Sequence, residues 1–271
     1  MWNMIRADLQ RIFRGKGIWI TLGLFLLIIL LITISSFGGG SGFSGPSIYV
    51  VRMEDDTMED DTIVDIDTGL PFYGGNMPNH IMSDIILYFI LPVIGFISVI
   101  DFSSSAVKNV LATGTNRIKY YFSKLILSCL VVAAMFISFI LIPTIIITIA
   151  RGFGDGFAEG TLVMLLGRFL LVMAATSFAV MLSFVTKKAA AMTGIYLAAL
   201  LAPPMILLIL AQINDMFWDW LNFEFLSSFG NLDVQMNLPT ADTVRIFILG
   251  AVILVGSIII GIMSFRKAEI E

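Results

Sequence analysis

Six stretches of this chain, 18–36, 81–100, 125–149, 162–185, 189–211 and 244–265, are built from Ile, Leu, Val, Phe, Ala and Met with at most one charged residue apiece. A bilayer core takes roughly 20 apolar residues per helical crossing, so each stretch can span a membrane. None shows the polar/apolar alternation of a barrel strand. Of the 271 residues, 58% are hydrophobic and only 13% charged, too little polar surface to cover a water-soluble domain of that length. The expected fold is an all-α integral membrane protein of six transmembrane helices, one transmembrane domain over 1–271.

The first stretch has a basic flank, like a secretory signal. Its apolar run exceeds the usual h-region and no clean small-x-small site comes after it, so a retained span is expected. Cys129, the one cysteine, lies inside the third stretch, which rules out an intrachain disulfide framework and reads as packing.

Charge placement sets the orientation. Alternating six spans puts Arg6, Arg11, Arg14, Lys16, Lys108, Arg117, Lys119, Lys124, Lys187, Lys188, Arg266 and Lys267 on one side. Only Arg52, Arg151, Arg168 and Arg245 fall on the other. Twelve against four makes the first side cytoplasmic, with both termini, and suits a multi-pass protein of a bacterial cell membrane.

The segment 1–17 places Trp2, Ile5, Leu9, Ile12 and Phe13 at helical spacing, with Arg6, Arg11, Arg14 and Lys16 elsewhere on the wheel. It is expected as an amphipathic helix on the inner leaflet, its cations near anionic lipid. A plain basic topology anchor is the alternative. The extracytoplasmic loop 37–80 opens with a flexible Gly/Ser tract and carries Glu54, Asp55, Asp56, Glu59, Asp60, Asp61, Asp65 and Asp67. A charge run of this kind is ordinarily a solvated loop. It could also attract cationic substrates. A calcium loop lacks its remaining ligands, and "DTG" lacks the second copy an aspartic-protease dyad needs.

Small residues recur every fourth position as Ala175, Ala179 and Ser183, as Ala190, Gly194, Ala198 and Ala202, and as Ser257 and Gly261, a spacing that lets helices approach closely in lipid. Pro92, Pro143 and Pro203-Pro204 are expected to kink or interrupt their helices. The connection 212–243, with Phe217, Trp218, Trp220, Phe223 and Phe225, suits the outer headgroup belt and predicts short re-entrant or surface helices. Arg168 and Asp84, near span ends, are expected to snorkel to the interface.

Several chemistries have no residues to carry them. There is no GxxxxGK[ST] phosphate loop, the one histidine, His80, has no second ligand at metal spacing, and the spans carry no chain of Asp, Glu or His for proton coupling. The sequence therefore predicts no catalytic residues, no metal site and no cofactor bound by this chain. Nothing in it points to nucleic acid.

The cytoplasmic segment 101–124 remains, holding "DFSSSAVKNVLATGTNRIKYYFSK". It reads as a short helix ending at Gly114, with Val107, Val110 and Leu111 on an apolar edge and Lys108, Asn109 and Thr113 on a polar one. Arg117, Lys119 and Lys124 come next, with Tyr120 and Tyr121 expected at the interface. Sequence physics alone leaves two readings open: a basic topology loop, or a helix that docks on a partner.

This segment resembles the loop of type-2 ABC exporter permeases through Asp101, Val107, Lys108, Asn109, Leu111, Ala112, Gly114, Arg117, Lys119, Ser123, Lys124 and Leu125. The opening "IRADLQRIFRGKGIW" is similar to the family's N-terminal elbow through Leu9, Arg11, Phe13, Arg14 and Lys16. A glycine that often precedes the family's core is Ser105 or Ala106 here. The resemblance implies a transport subunit, not an enzyme: two permease subunits, identical or related, on cytoplasmic ATPase subunits that hold the ATP and Mg. The ATPase-coupling residues would then be Asp101, Val107, Lys108, Asn109, Val110, Leu111, Ala112, Thr113, Gly114 and Arg117. Among similar permeases are those of bacteriocin and lantibiotic immunity and of peptide export. The acidic outer loop and aromatic belt would suit a cationic amphipathic peptide. Drugs, lipids or ions are the other cargoes, and a non-transport sensor or scaffold the other class.

Overall fold

The computed structural model describes residues 2–37, 73–74, 78, 84–104, 106–112, 114–154, 156–157, 160–214, 216–221, 224–234 and 240–267. The acidic run 54–67, His80, Ser105, Thr113 and Phe223 lie outside the described residues. Every regular element among those described is helical. In chain order they are α1 (Trp2–Arg14), α2 (Lys16–Phe37), α3 (Ile85–Ile94), a π turn (Gly95–Val99), α4 (Ile100–Ser103), α5 (Ala106–Ala112), α6 (Arg117–Arg151), α7 (Thr161–Thr186), α8 (Ala189–Ala211), α9 (Met216–Leu221), α10 (Phe225–Val234) and α11 (Thr240–Lys267).

Six of these units are long and apolar enough to cross a membrane: α2, the run from α3 through α4, α6, α7, α8 and α11. This is a multi-pass membrane protein. All six apolar stretches became helices, and α6 exceeds its stretch by eight residues at its start, because Asn116 caps the helix by accepting a hydrogen bond from the Ile118 amide at 2.9 Å. At 35 residues α6 is about 52 Å long, well beyond a hydrocarbon core of about 30 Å. Its first two turns therefore project toward the basic end of the bundle.

Helix α7 forms the axis. In its most apolar window 72% of residues are buried, against 22% in α2, α8 and α11, whose outer faces of Leu, Ile, Val and Met are left to lipid. The small-residue stripes divide accordingly. Ala175, Ala179 and Ser183 of α7 are buried, whereas Gly194, Ala198 and Ala202 of α8 face outward. Gly261 of α11 lies against the buried Tyr121 of α6, so close that a Cβ there would fall on the phenol hydroxyl and 2.7 Å from Cζ.

The prolines interrupt less than expected. Pro143 and Pro203-Pro204 sit inside continuous helices, α6 and α8. Only after Pro92 does the winding change: the Ile100 amide bonds to the Gly95 carbonyl, a π turn three residues downstream that adds one residue to the turn and re-aims α4. Asp101 is the first charge after it, and it points inward.

Gly261→Ala is expected to lower the thermal midpoint in detergent by an amount equivalent to about 1–3 kcal/mol, from overpacking against Tyr121. Gly256→Ala on the same helix, where a Cβ would meet nothing within 4 Å, is expected to be neutral or mildly stabilising. Equal effects at both positions would contradict the close α6–α11 approach.

Candidate functional site

The basic end carries a charge cluster assembled from three elements, buried at Asp101 and Lys124 and open to solvent at Arg11. Asp101 of α4 is 2% exposed and Lys124 of α6 is 1% exposed, with Nζ 2.5 Å from the Asp101 carboxylate. Lys124 reaches Asp8 of α1 on its other side at 2.7 Å. Arg11, one turn along α1 from Asp8, is 3.3 Å from it and donates to the second Asp101 oxygen. The Tyr120 hydroxyl also donates to Asp101, at 2.6 Å.

Two acids and two cations thus sum to zero formal charge. An unpaired ion there would cost several kcal/mol of desolvation, and the pairing offsets it only because the remaining donors and lone pairs are also used. Burial works against the charge of Arg11, but the bond to Asp101 and the charges of Asp101 and Asp8 outweigh it, and its pKa stands above the ordinary guanidinium value. Aromatic rings wall the cluster: Phe184 lies 4.9 Å from Tyr121, 4.9 Å from Phe265 and 5.3 Å from Phe102, centroid to centroid. Water is kept from the ion pairs on that side.

Directly after Asp101 the chain turns through α4 and presents α5. Its Val107 is buried and anchors it, Val110 and Leu111 are half-buried, and Lys108, Asn109 and Ala112 are exposed. Gly114 ends the turn with φ +84°, a conformation that favours glycine, and its amide donates to the Leu111 carbonyl at 3.1 Å. The apolar and polar edges expected of this helix are therefore both present, on a seven-residue scaffold.

Other expectations need correction. Tyr120 and Tyr121 do not lie at the interface: they are 2% and 0% exposed, because α6 starts early enough to bring them under α4, α7 and α11. Arg117 turns onto α11, donating to the Arg266 carbonyl at 3.1 Å and the Phe265 carbonyl at 3.4 Å, where a cation meets the negative end of a helix dipole. Asp101 and Val107 point into the protein, leaving Lys108, Asn109, Ala112 and Gly114 as the outward residues.

The apolar face of α1 also divides. Ile5 and Ile12 are buried in the bundle, and Leu9 and Phe13 are exposed beside Arg6, Arg14 and Lys16. Phe13 lies 5.7 Å from Trp19 of α2, whose indole donates to the Phe13 carbonyl at 2.7 Å and fixes the bend at Gly15. At the opposite end Arg168 and Asp84 do not snorkel. They are 1% and 9% exposed, and segments distant in sequence fold back over Arg168, which donates to the Pro78 carbonyl at 2.8 Å and the Leu232 carbonyl at 3.1 Å.

Sequence reasoning missed Arg11, Tyr120 and Lys124 as partners of Asp101, and Asp8 as the second acid shared by Lys124 and Arg11. Two signals were available: a lone acid on an otherwise basic helix, and a lysine directly preceding an apolar run. No group of three or more His, Cys, Asp and Glu among the described residues could hold a metal ion. Comparison with known proteins finds no matching family model and no matching curated protein.

Lys124→Met leaves Asp8 and Asp101 short of a cation and is expected to cost roughly 3–5 kcal/mol. Asp101→Asn combined with Lys124→Met is expected to cost less than the sum of the single changes. Thermal unfolding in detergent gives the cycle; strict additivity would contradict a coupled cluster.

Proposed function

We propose that this chain is the permease subunit of an ATP-driven exporter of the type-2 ABC kind, in a bacterial cell membrane with its basic end in the cytoplasm. The observation that carries the reading is α5: a short helix anchored by the buried Val107, showing Lys108, Asn109 and Ala112 to the outside, five residues beyond the ion-paired Asp101. A helix that receives a push from a partner needs an exposed face for the partner and a rigid attachment to the spans. Both supports are at hand. With no phosphate loop in the sequence, ATP and Mg belong to the partner ATPase.

In this reading α1 rests on the inner leaflet with Phe13, Arg6, Arg14 and Lys16. A second permease subunit, identical or related, packs against the outward small-residue stripe of α8, where Gly194, Ala198 and Ala202 permit close approach. The cargo is a cationic amphipathic peptide of the antimicrobial kind, expelled or secreted. Support comes from the acidic sequence Glu54, Asp55, Asp56, Glu59, Asp60 and Asp61 in the outer loop and from the aromatic α9, with Trp220 exposed.

The test is co-purification with an ABC ATPase from the same source, and then ATP hydrolysis in nanodiscs across a peptide panel. Association and peptide-dependent turnover are expected. Lys108→Glu with Asn109→Glu, both at exposed positions, is expected to abolish that stimulation while insertion and thermal midpoint stay unchanged. Full stimulation in that variant would refute the docking role of α5, and a chain that binds no ATPase at all would favour a sensor or scaffold.

A further inference from the structure

Buried hydroxyls in the spans mostly turn back on their own helices. Ser123, Ser177 and Ser183 each donate to the carbonyl three residues earlier, at 2.7, 2.8 and 2.7 Å, and Thr144 and Thr176 to the carbonyl four residues earlier, both at 2.7 Å. Ser98 of the π turn and Ser128 of α6 do not. They are 1% and 0% exposed, and neither Oγ has a hydrogen-bond partner among the described residues. Their places in the two spans match. Asp101 and Lys124 meet at 2.5 Å; Ser98 lies three residues before Asp101, and Ser128 lies four residues after Lys124 on the same face of α6. The span from α3 to α4 runs toward α5 and α6 runs away from it, so both steps lead in one direction, about 4–6 Å deeper into the bundle. The π turn packs on both α6 and α7 there. Ile97 and Val99, which flank Ser98, and Leu127, which precedes Ser128, are buried as well.

A hydroxyl shut away from bulk solvent needs a partner for its donor and its lone pairs, or it forfeits their hydration. Bonding to the preceding turn is open to any helical serine, so two buried hydroxyls that both point elsewhere call for something between the helices. They do not bond each other, and the side chains around them in sequence are apolar. Water fits this demand, since it donates and accepts at once and is held inside proteins by two to four polar groups. We propose that Ser98 and Ser128 form an internal water site, one turn above the Asp101–Lys124 ion pair, in which an ordered water accepts from one hydroxyl and donates to the other. Lys124, with three N–H donors and two carboxylates as its ion-pair partners, has a further donor to turn toward it. The seam between the α3–α4 span and α6 is then joined by a bridge that can exchange partners without leaving a dry polar group. The site rests on packing and hydrogen-bond chemistry and not on the function proposed above.

The test is a double-mutant cycle on the full chain in detergent, Ser98→Ala and Ser128→Ala singly and together, beside a structure of the unaltered chain at a resolution that shows ordered water. Each single change is expected to lower the thermal midpoint by roughly 2–4 °C. The double variant is expected to fall little further than either single one, because the same bridge is lost in all three. Ser138→Ala combined with Ser98→Ala is the control: the Ser138 hydroxyl bonds the Ala134 carbonyl of its own helix, and these two changes are expected to add. Raised midpoints in the single variants would show dry hydroxyls, and small additive losses would show that each serine turns back on its own carbonyl; either result overturns the site. In the structure, density within hydrogen-bond distance of both Oγ atoms is expected. A direct bond between Ser98 and Ser128, which would also couple the cycle, overturns the water, as does the absence of density between them.

Discussion

A charged side chain at a membrane boundary must find water or a partner, and four of them here have found each other. Asp8, Arg11, Asp101 and Lys124 come from α1, α4 and α6, and none of the three elements can move far without exposing an ion the others neutralise. The rest of the basic end is arranged around this requirement. The π turn after Pro92 aims Asp101 inward, the early start of α6 brings Tyr120 and Lys124 down to meet it, and the Phe102, Phe184 and Phe265 rings close the side. Helix α5 begins five residues after Asp101 and inherits a fixed base.

The span from α3 to α4 occupies a particular place in this scheme, since it ends in the charge cluster. Asp101 ties one end into the cluster, and Asp84, just ahead of α3 at the other end, is buried. Between them 61% of its apolar window is buried, second to α7 among the six spans. A buried helix tied into such a cluster is suited to carry displacement from one end of a bundle to the other, because packed interiors shift as units instead of deforming gradually. The lipid-facing helices α2, α8 and α11 lack such depth of burial.

Much of the fold was legible because bilayer thickness imposes a length on apolar runs, and each of the six runs became a helix within a few residues of its sequence limits, α6 excepted at its capped start. The short helix α5 was legible too: Val107 against Lys108 and Asn109 states its two edges, and Gly114 its end. What the sequence hid is pairing across distance. Asp101 and Lys124 stand as separate charges flanking a loop, and only the fold shows that Asp8, from the far N-terminal helix, joins them. Arg168 reads locally as a snorkelling cation, since nothing near it in sequence reveals that Pro78 and Leu232 cover it. Tyr120 and Tyr121 carry an interfacial signature that the seven extra residues before Lys124 in α6 override.

Native-state hydrogen exchange with peptide resolution, compared between this chain and Asp101→Asn in the same nanodisc, addresses the central claim that the charge cluster makes α1 and α5 one mechanical unit. Loss of protection in residues 2–14 and 106–112 together, by similar factors, is the expected result, with α7 unchanged. Loss in α1 alone, with α5 as protected as before, would contradict it and leave the cluster a staple for the N-terminal helix.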